Sequence, residues 1–433
     1  MARFLVSTLP AFGHVNPTLP IARKLVERGH EVLWYTGEIF QSRVEATGAR
    51  YIPMVAAFNY SDSKNFPKSF EKKRKTLSES AQLIFDLKHF LIDGALSKVK
   101  DYMEILRQFP ADVLLCDSSF NGISWVHEKG GPPWATLGVT SLFINSRDTA
   151  PYGLGMQPDS SALGRLRNNV LNWVLERVLI GDLTGYMNNA RTSIGLPPNQ
   201  KNFLNAGVSP FLYLQQTVPE FEYPRSDLPP QVHFIGPCLP NPPADFTFPS
   251  WWEDLKGNRP VILVTQGTLA NYKTDNLIVP TIEALANEDV LVVATTGGES
   301  VKLAQYPANT RIEQKYIPFT HLLPYTDVMV TNGGYNGVLE ALAHGVPVVA
   351  AGTTEEKSEI CARVQWSGVG INLKTNNPTP KQIRGAVKKI LASLCYGQKA
   401  EFFKAEITRY DAPTLAALLL EQLAATQKPV LRT

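Results

Sequence analysis

No stretch of this sequence is long and apolar enough to span a bilayer. The most apolar C-terminal run, Leu415–Leu420, falls far short of the roughly 20 residues a spanning helix needs. The amino-terminal run Phe4–Leu9 is shorter than the roughly 7–15-residue core of a secretory signal. Cysteine is scarce too: Cys116, Cys238, Cys361 and Cys395 lie far apart with no C-x-x-C, which argues against a zinc site or disulfide scaffold and fits a reducing compartment. Charge is nearly balanced. A net +3 over 433 residues gives no electrostatic case for binding nucleic acid. What is abundant is apolar material, 44% of the chain against 19% charged, enough for a large core and unlike a disordered segment. The expectation is a soluble, cytoplasmic protein with no integral membrane segment and two or three domains.

Several kinds of chemistry are missing. There is no G-x-x-x-x-G-K-[ST] phosphate loop and no G-x-S-x-G nucleophile elbow. The loop after the first apolar run reads LPAFGHVNP rather than G-x-G-x-x-G, and Gly368-Val-Gly370 lacks its third glycine. None of the seven histidines forms an H-E-x-x-H or another close ligand pair, and no two aspartates are spaced D-x-D. Metal-free chemistry is expected, with no metal ligands.

What is present is a repeated α/β pattern. Arg3–Thr8 reads as a buried strand, and Leu19, Ala22, Leu25 and Val26 recur at helical spacing after it, before a second apolar run at Val32–Tyr35. Asn16 is placed to cap that helix, with Pro17 at its first position. Strand, helix and strand within about 33 residues mark a parallel βαβ unit. The pattern begins again at Val261–Thr268, continues through a helix around Leu277–Ala286 to Val290–Gly298, and recurs from Asp327 to Ala351. Between the two halves the prolines of 237–260 forbid continuous helix or central strand. That stretch reads as an ordered connector whose Phe246, Phe248, Trp251 and Trp252 must pack on something. The expected division is 1–236, a linker at 237–260, 261–410, and a C-terminal helix in 411–433 that packs back on the first domain. The segments Pro53–Leu77 and Thr140–Pro198 read as less regular. Ile84, Leu87, Leu91, Ala95, Val99, Tyr102 and Leu106 form a helical stripe read as core packing, with the irregular segments beside it as candidate lining of an acceptor pocket.

Ligands of doubly wound sheets bind at the carboxyl ends of the strands, so the loops after Thr8, Cys116, Gln266 and Thr331 are the places to search. The first holds His14, in a loop just before a helix. An isolated histidine is ordinarily a surface or packing residue, but this one sits at the ligand crevice. Asp117 ends the strand-like Ala111–Asp117 at the same edge. A carboxylate there can orient an imidazole and leave its other nitrogen as a general base; the alternative role for Asp117 is to cap the next helix. The fourth loop, Thr331–Leu342, reads TNGGYNGVLEAL. A glycine-rich turn at a helix start offers free N–H groups and a positive dipole end to a diphosphate. Asn332 and Asn336 add donors, Glu340 can accept from a ribose, and Thr268 can donate from the opposing loop.

The segments Tyr316–Val364 and Pro10–Val32 resemble the donor-binding signature and the amino-terminal acceptor motif of the family 1, UDP-sugar-dependent glycosyltransferases. The resemblance covers nearly the whole chain. It implies a GT-B fold: two Rossmann-like, doubly wound parallel-sheet domains facing across a cleft, acceptor on the first and nucleotide sugar on the second. Carried over by position, His14 is the base and Asp117 its partner, Tyr316 stacks on the uracil, Glu340 binds the ribose, and Gly334 and Asn336 belong to the phosphate loop. Three positions depart from the pattern. Asn332 stands where histidine usually faces the phosphates, Glu356-Lys357 where Asp/Glu-Gln commonly reads the sugar, and Phe319 where a glutamine is common.

The expected activity is an inverting, metal-independent transfer from a UDP-sugar, with UDP-glucose the expected donor. The acceptor would be a hydroxyl of an apolar or aromatic small molecule, of flavonoid or phenolic, macrolide or terpenoid type. The departing UDP would be stabilised at the helix terminus Gly333–Gly337, and the sugar read by Glu356 and Lys357. No cofactor beyond the donor is implied, and a monomer or weak dimer is expected. Two alternatives share the architecture: a GT-B nucleotide-sugar epimerase and a non-catalytic nucleotide-sugar binder.

Overall fold

The computed structural model describes every residue except 60–67, 120 and 121, 200–206, 242–245, 268–273, 304 and 433. Two parallel sheets form in sequence order. The first contains β1 (Arg3–Ser7), β2 (Glu31–Thr36), β3 (Arg50–Pro53), β4 (Val113–Asp117), β5 (Trp134–Gly138), β6 (Leu212–Gln215) and β7 (Val232–Phe234), arranged β3-β2-β1-β4-β5-β6-β7. The second contains β8 (Val261–Thr265), β9 (Leu291–Thr295), β10 (Thr310–Glu313), β11 (Val328–Thr331), β12 (Val348–Ala350) and β13 (Gly370–Asn372), arranged β10-β9-β8-β11-β12-β13.

The strands are uninterrupted apolar runs because both faces of each sheet are covered. In β1, Phe4 and Val6 join a cluster with Val15, Ile21 and Leu25 of the first helix, while Leu5 points the other way, towards Ile92, Val99 and Tyr102. In β8, Val261 and Leu263 face one layer, and Ile262 and Val264 the other. Phe246, Trp251 and Trp252 of the proline-rich stretch pack on the second domain's core. The last helix, Ala412–Thr426, returns to the first domain: Ala416, Ala417, Leu420 and Leu423 share a cluster with Phe4 and Ile21. There Glu421 accepts two hydrogen bonds from Arg28 and pairs with His30 at 2.7 Å.

Of three local expectations, two need correction. The first helix starts at Phe12 with Ala11 before it, so Asn16 is not its cap, Pro17 and Pro20 lie inside it, and His14 sits in its first turn rather than in a loop. Pro17 is tolerated there because another group answers the Gly13 carbonyl it orphans, as described below. Secondly, the stripe 84–106 is helical and packs in the core as expected, with a π-helical stretch, Leu87–Asp93, interrupting the helix. Thirdly, Thr140–Pro198 contains two helices, Ala162–Val174 and Gly181–Ser193. The first starts at a Ser161 cap and leaves Leu163, Leu166, Val170 and Trp173 exposed.

Candidate active site

In both sheets the strand order reverses between the first strand and the fourth, β1 and β4 in one, β8 and β11 in the other. The loops on either side of such a reversal turn opposite ways and open a crevice at the strand ends. His14 follows β1, and Asp117 is the last residue of β4, one position beyond the Ser7–Cys116 pair that ends the β1–β4 ladder. His14 Nδ1 lies 3.1 Å from Asp117 Oδ1, with the histidine side chain 23% exposed and the carboxylate fully buried. The N–H is not aimed squarely at the oxygen, and contacts of this kind commonly tighten when substrate binds. Asp117 does not cap the next helix. Its Oδ2 accepts from Leu9 N at 2.6 Å and its Oδ1 from Ser119 N at 2.8 Å.

Burial by itself would lower the affinity of His14 for its proton. The Asp117 carboxylate outweighs that, helped by Glu356 across the cleft, and the histidine is raised above its ordinary value. Burial pushes Asp117 up, but the His14 charge and the hydrogen bonds it accepts carry it below the usual carboxylate range. Lys98, which sequence reasoning passed over, is buried near both. Burial lowers it to about 8 although Asp117 pulls the other way, and it acts against protonation of His14. Its only sequence signal was a lysine beside an apolar helical stripe.

The second crevice lies between the ends of β8 and β11. Asn332 Nδ2 donates to the Gln266 carbonyl at 2.6 Å, tying the two loops together, while its buried Oδ1 has no partner among the described residues. Gly333 has φ +85°, and a Cβ there would lie 2.6 Å from Cys361 Sγ, so the turn requires glycine. Gly334 then starts the helix Tyr335–Ala343, within which Gly337 and Glu340 sit. Burial pushes Glu340 up to about 7. Tyr316, 72% exposed, keeps a ring face open. Phe319 begins a short helix and lies against Gly337. Glu355, at φ +55°, holds a conformation that is strained without glycine. It forms an ion pair with Lys357, and Glu356 precedes the helix Lys357–Trp366. Thr268 lies outside the described residues.

The halves are joined by contacts that no local sequence pattern announced. Pro17 has no N–H to give the Gly13 carbonyl, and Asn336 Nδ2 of the second domain donates to that oxygen instead, at 3.1 Å. Gln216 Nε2 in turn donates to Asn336 Oδ1 at 3.2 Å. Further along the cleft Arg363 is buried between Glu222 and Glu359, with Nε 3.0 Å from Glu222 Oε2 and Nη1 3.0 Å from Glu359 Oε2. Glu359 Oε1 accepts from Gly153 N and Gly155 N of the first domain.

Two doubly wound domains whose switch points face one cleft constitute the GT-B class of glycosyltransferase fold. The solved structure of the glycotransferase of kitacinnamycin matches with a TM-score of 0.75 at 21% identity, each chain covered to 99%. The calicheamicin glycosyltransferase CalG4 matches with a TM-score of 0.67 at 20% identity, covering 98% of this chain and 99% of that one. Residues 280–423 match the family described as erythromycin biosynthesis protein CIII-like, C-terminal domain. The chain is 46% identical to 4'-demethylrebeccamycin synthase of Lentzea aerocolonigenes, over 98% of this chain and 99% of that protein. It is 34% identical to UDP-glycosyltransferase 2 of Phaeomoniella chlamydospora, over 97% and 95% respectively. The chain belongs to the family 1 GT-B natural-product glycosyltransferases. It is a UDP-glycosyltransferase, with a UDP-sugar as co-substrate and a small molecule as acceptor.

Proposed function

We propose that the enzyme transfers glucose from UDP-glucose, with inversion and without a metal, to a hydroxyl of an apolar or aromatic natural product. The observation that carries this reading is the His14–Asp117 pair at 3.1 Å, at the crevice facing the glycine-rich turn. With Nδ1 held by the carboxylate, Nε2 of His14 takes the acceptor proton as the acceptor oxygen attacks the anomeric carbon from the side opposite UDP. One displacement inverts that carbon. The imidazolium formed is stabilised by Asp117.

Negative charge grows on the leaving diphosphate as the bond to sugar breaks. The N–H groups at the start of helix Tyr335–Ala343 and its positive dipole end oppose that charge. Among the described residues no three His, Cys, Asp or Glu side chains come together as metal ligands. Tyr316 stacks on the base, Glu340 accepts from the ribose, and Glu356 with Lys357 reads the sugar hydroxyls. Relatives named UDP-glucosyltransferase A1 and B1, from Starmerella bombicola, support glucose as the sugar. The four cysteines are unpaired and, among the described residues, no helix is long and apolar enough to cross a membrane. The test is His14→Ala: transfer to hydroxyl acceptors should be abolished while calorimetry finds UDP affinity within about threefold of the parent. Unchanged turnover in that variant refutes the assignment.

A further inference from the structure

A second histidine–aspartate pair lies on the acceptor domain, outside the dyad just described. His89 Nδ1 is 2.7 Å from Asp93 Oδ2, and the Tyr186 hydroxyl donates to Asp93 Oδ1 at 2.8 Å. The imidazole is walled by aromatic rings, edge-to-face with Phe85 at 4.4 Å and Phe70 at 4.9 Å between centroids. Both members of the pair are partly exposed, 26% for His89 and 40% for Asp93. With Asp93 accepting from Nδ1–H, the tautomer this pairing selects presents the lone pair of Nε2, and no described residue bonds that atom.

Topology sets where this pair stands. The helix Gly94–Gln108 precedes β4 and runs antiparallel to it, so its start lies at the strand edge that carries Asp117. Lys98, one turn into that helix, interacts electrostatically with both His14 and Asp117. The π-helical stretch Leu87–Asp93 therefore projects beyond the catalytic edge of the sheet. The helix carrying Tyr186 likewise precedes its strand, β6, and begins at the same edge. Nine residues separate His89 from Lys98, at most about 14 Å along a helical axis. A π-helical turn adds a residue per turn and re-aims the side chains that follow, and such turns recur at functional sites.

We propose that His89, oriented by Asp93 and Tyr186 inside the aromatic wall, is a specificity-determining residue that binds the end of the acceptor remote from the glycosylated hydroxyl. The subsite takes a planar aromatic molecule with an O–H or N–H donor on the order of 10 Å from the reacting oxygen. The rings supply stacking surface, and Nε2 accepts from the distal donor. This rests on the reading of His14 as the base that faces the acceptor.

The test uses two probes that differ only at the far end, 4-hydroxybiphenyl and 4,4′-dihydroxybiphenyl, titrated into the UDP-saturated full-length enzyme. The diol should bind about tenfold tighter to the parent protein, the effect of one well-formed hydrogen bond. His89→Phe keeps the aromatic packing and should erase that preference, leaving the affinity for the monophenol and for UDP within about twofold. Equal affinity of the parent for the two phenols overturns the proposal, as does binding of neither, or a preference that survives in His89→Phe. The parent comparison alone decides the matter if the variant does not fold. None of these outcomes touches the transferase reading, which falls only if His14→Ala leaves transfer unchanged.

Discussion

Arg363→Met tests whether a buried ion cluster clasps the two domains. The guanidinium is 1% exposed. It reaches Glu222 Oε2 from Nη2 at 2.9 Å and Nε at 3.0 Å, and Glu359 Oε2 from Nη1 at 3.0 Å. It also lies 4.0 Å from the centroid of the Tyr223 ring. Arg225, also buried, supplies the second positive charge, 3.7 Å from Glu222. Two arginines balance two carboxylates, so removal of Arg363 leaves one negative charge uncompensated in a buried interface. Breaking a buried pair in this way costs about 3–5 kcal/mol. Methionine fills much of the vacated volume, so the cavity contribution is small. A chain of 433 residues has a melting entropy of roughly 0.9 kcal/mol/K if it unfolds as one unit. The expected loss in scanning calorimetry is then about 3–6 °C, and roughly twice that if one domain melts alone. The compensating variant Arg363→Met with Glu359→Gln restores charge balance and keeps an oxygen for Gly153 N and Gly155 N, so it should recover at least half of the loss. A single variant within about 1 °C of the parent, or a double variant no better than the single, refutes the reasoning.

Three further outcomes are expected. Because the base must be neutral and Asp117 raises His14 above its ordinary value, kcat/KM should fall as pH drops through that raised value. Asp117→Asn leaves burial opposed only by Glu356 and should move this acid limb to lower pH, with a plateau lowered at least about 100-fold; a limb that stays in place contradicts the dyad. Glu340, pushed up to about 7 by burial, accepts from a ribose more strongly when ionised, so UDP affinity measured by calorimetry should rise with pH from about 6 to 8. Glu340→Gln should remove that part of the slope, and identical slopes in both proteins count against the assignment. Gln216→Ala releases the amide that braces Gly13 beside His14, and steady-state kinetics should give a kcat about tenfold lower with the KM for the donor little changed.

Much of the scaffold was legible because its signals are local. Runs such as Phe4–Val6 and Ile262–Val264 are apolar at successive positions, as strands covered on both faces require. The glycine-rich turn was visible for the same reason, since Gly333 holds a backbone conformation that side chains resist. The helix Ala162–Val174 was not visible. Its apolar face remains exposed, and its hold on the protein comes from polar anchors such as Asn168 Nδ2 to the Arg147 and Asp159 carbonyls. The first helix was misplaced because Asn16 followed by Pro17 is a helix-start signal by local rules, whereas the helix begins at Phe12. Here Asn336, from more than three hundred residues away, answers the carbonyl that Pro17 leaves free.

The sequence by itself determined the two α/β halves, the strand ends that face the cleft, and the family to which the chain belongs, and it singled out the His14–Asp117 pair that the fold brings together. Strand periodicity and loop chemistry are short-range, so residues close together in the chain carry them. Tertiary structure alone decided how the halves engage. The Arg363–Glu222 pair spans 141 positions, the Asn336–Gly13 bond 323, and the aromatic wall around His89 draws on three helical segments. A buried charge or an orphaned carbonyl is tolerated only where another part of the chain satisfies it. No local pattern records which part that is.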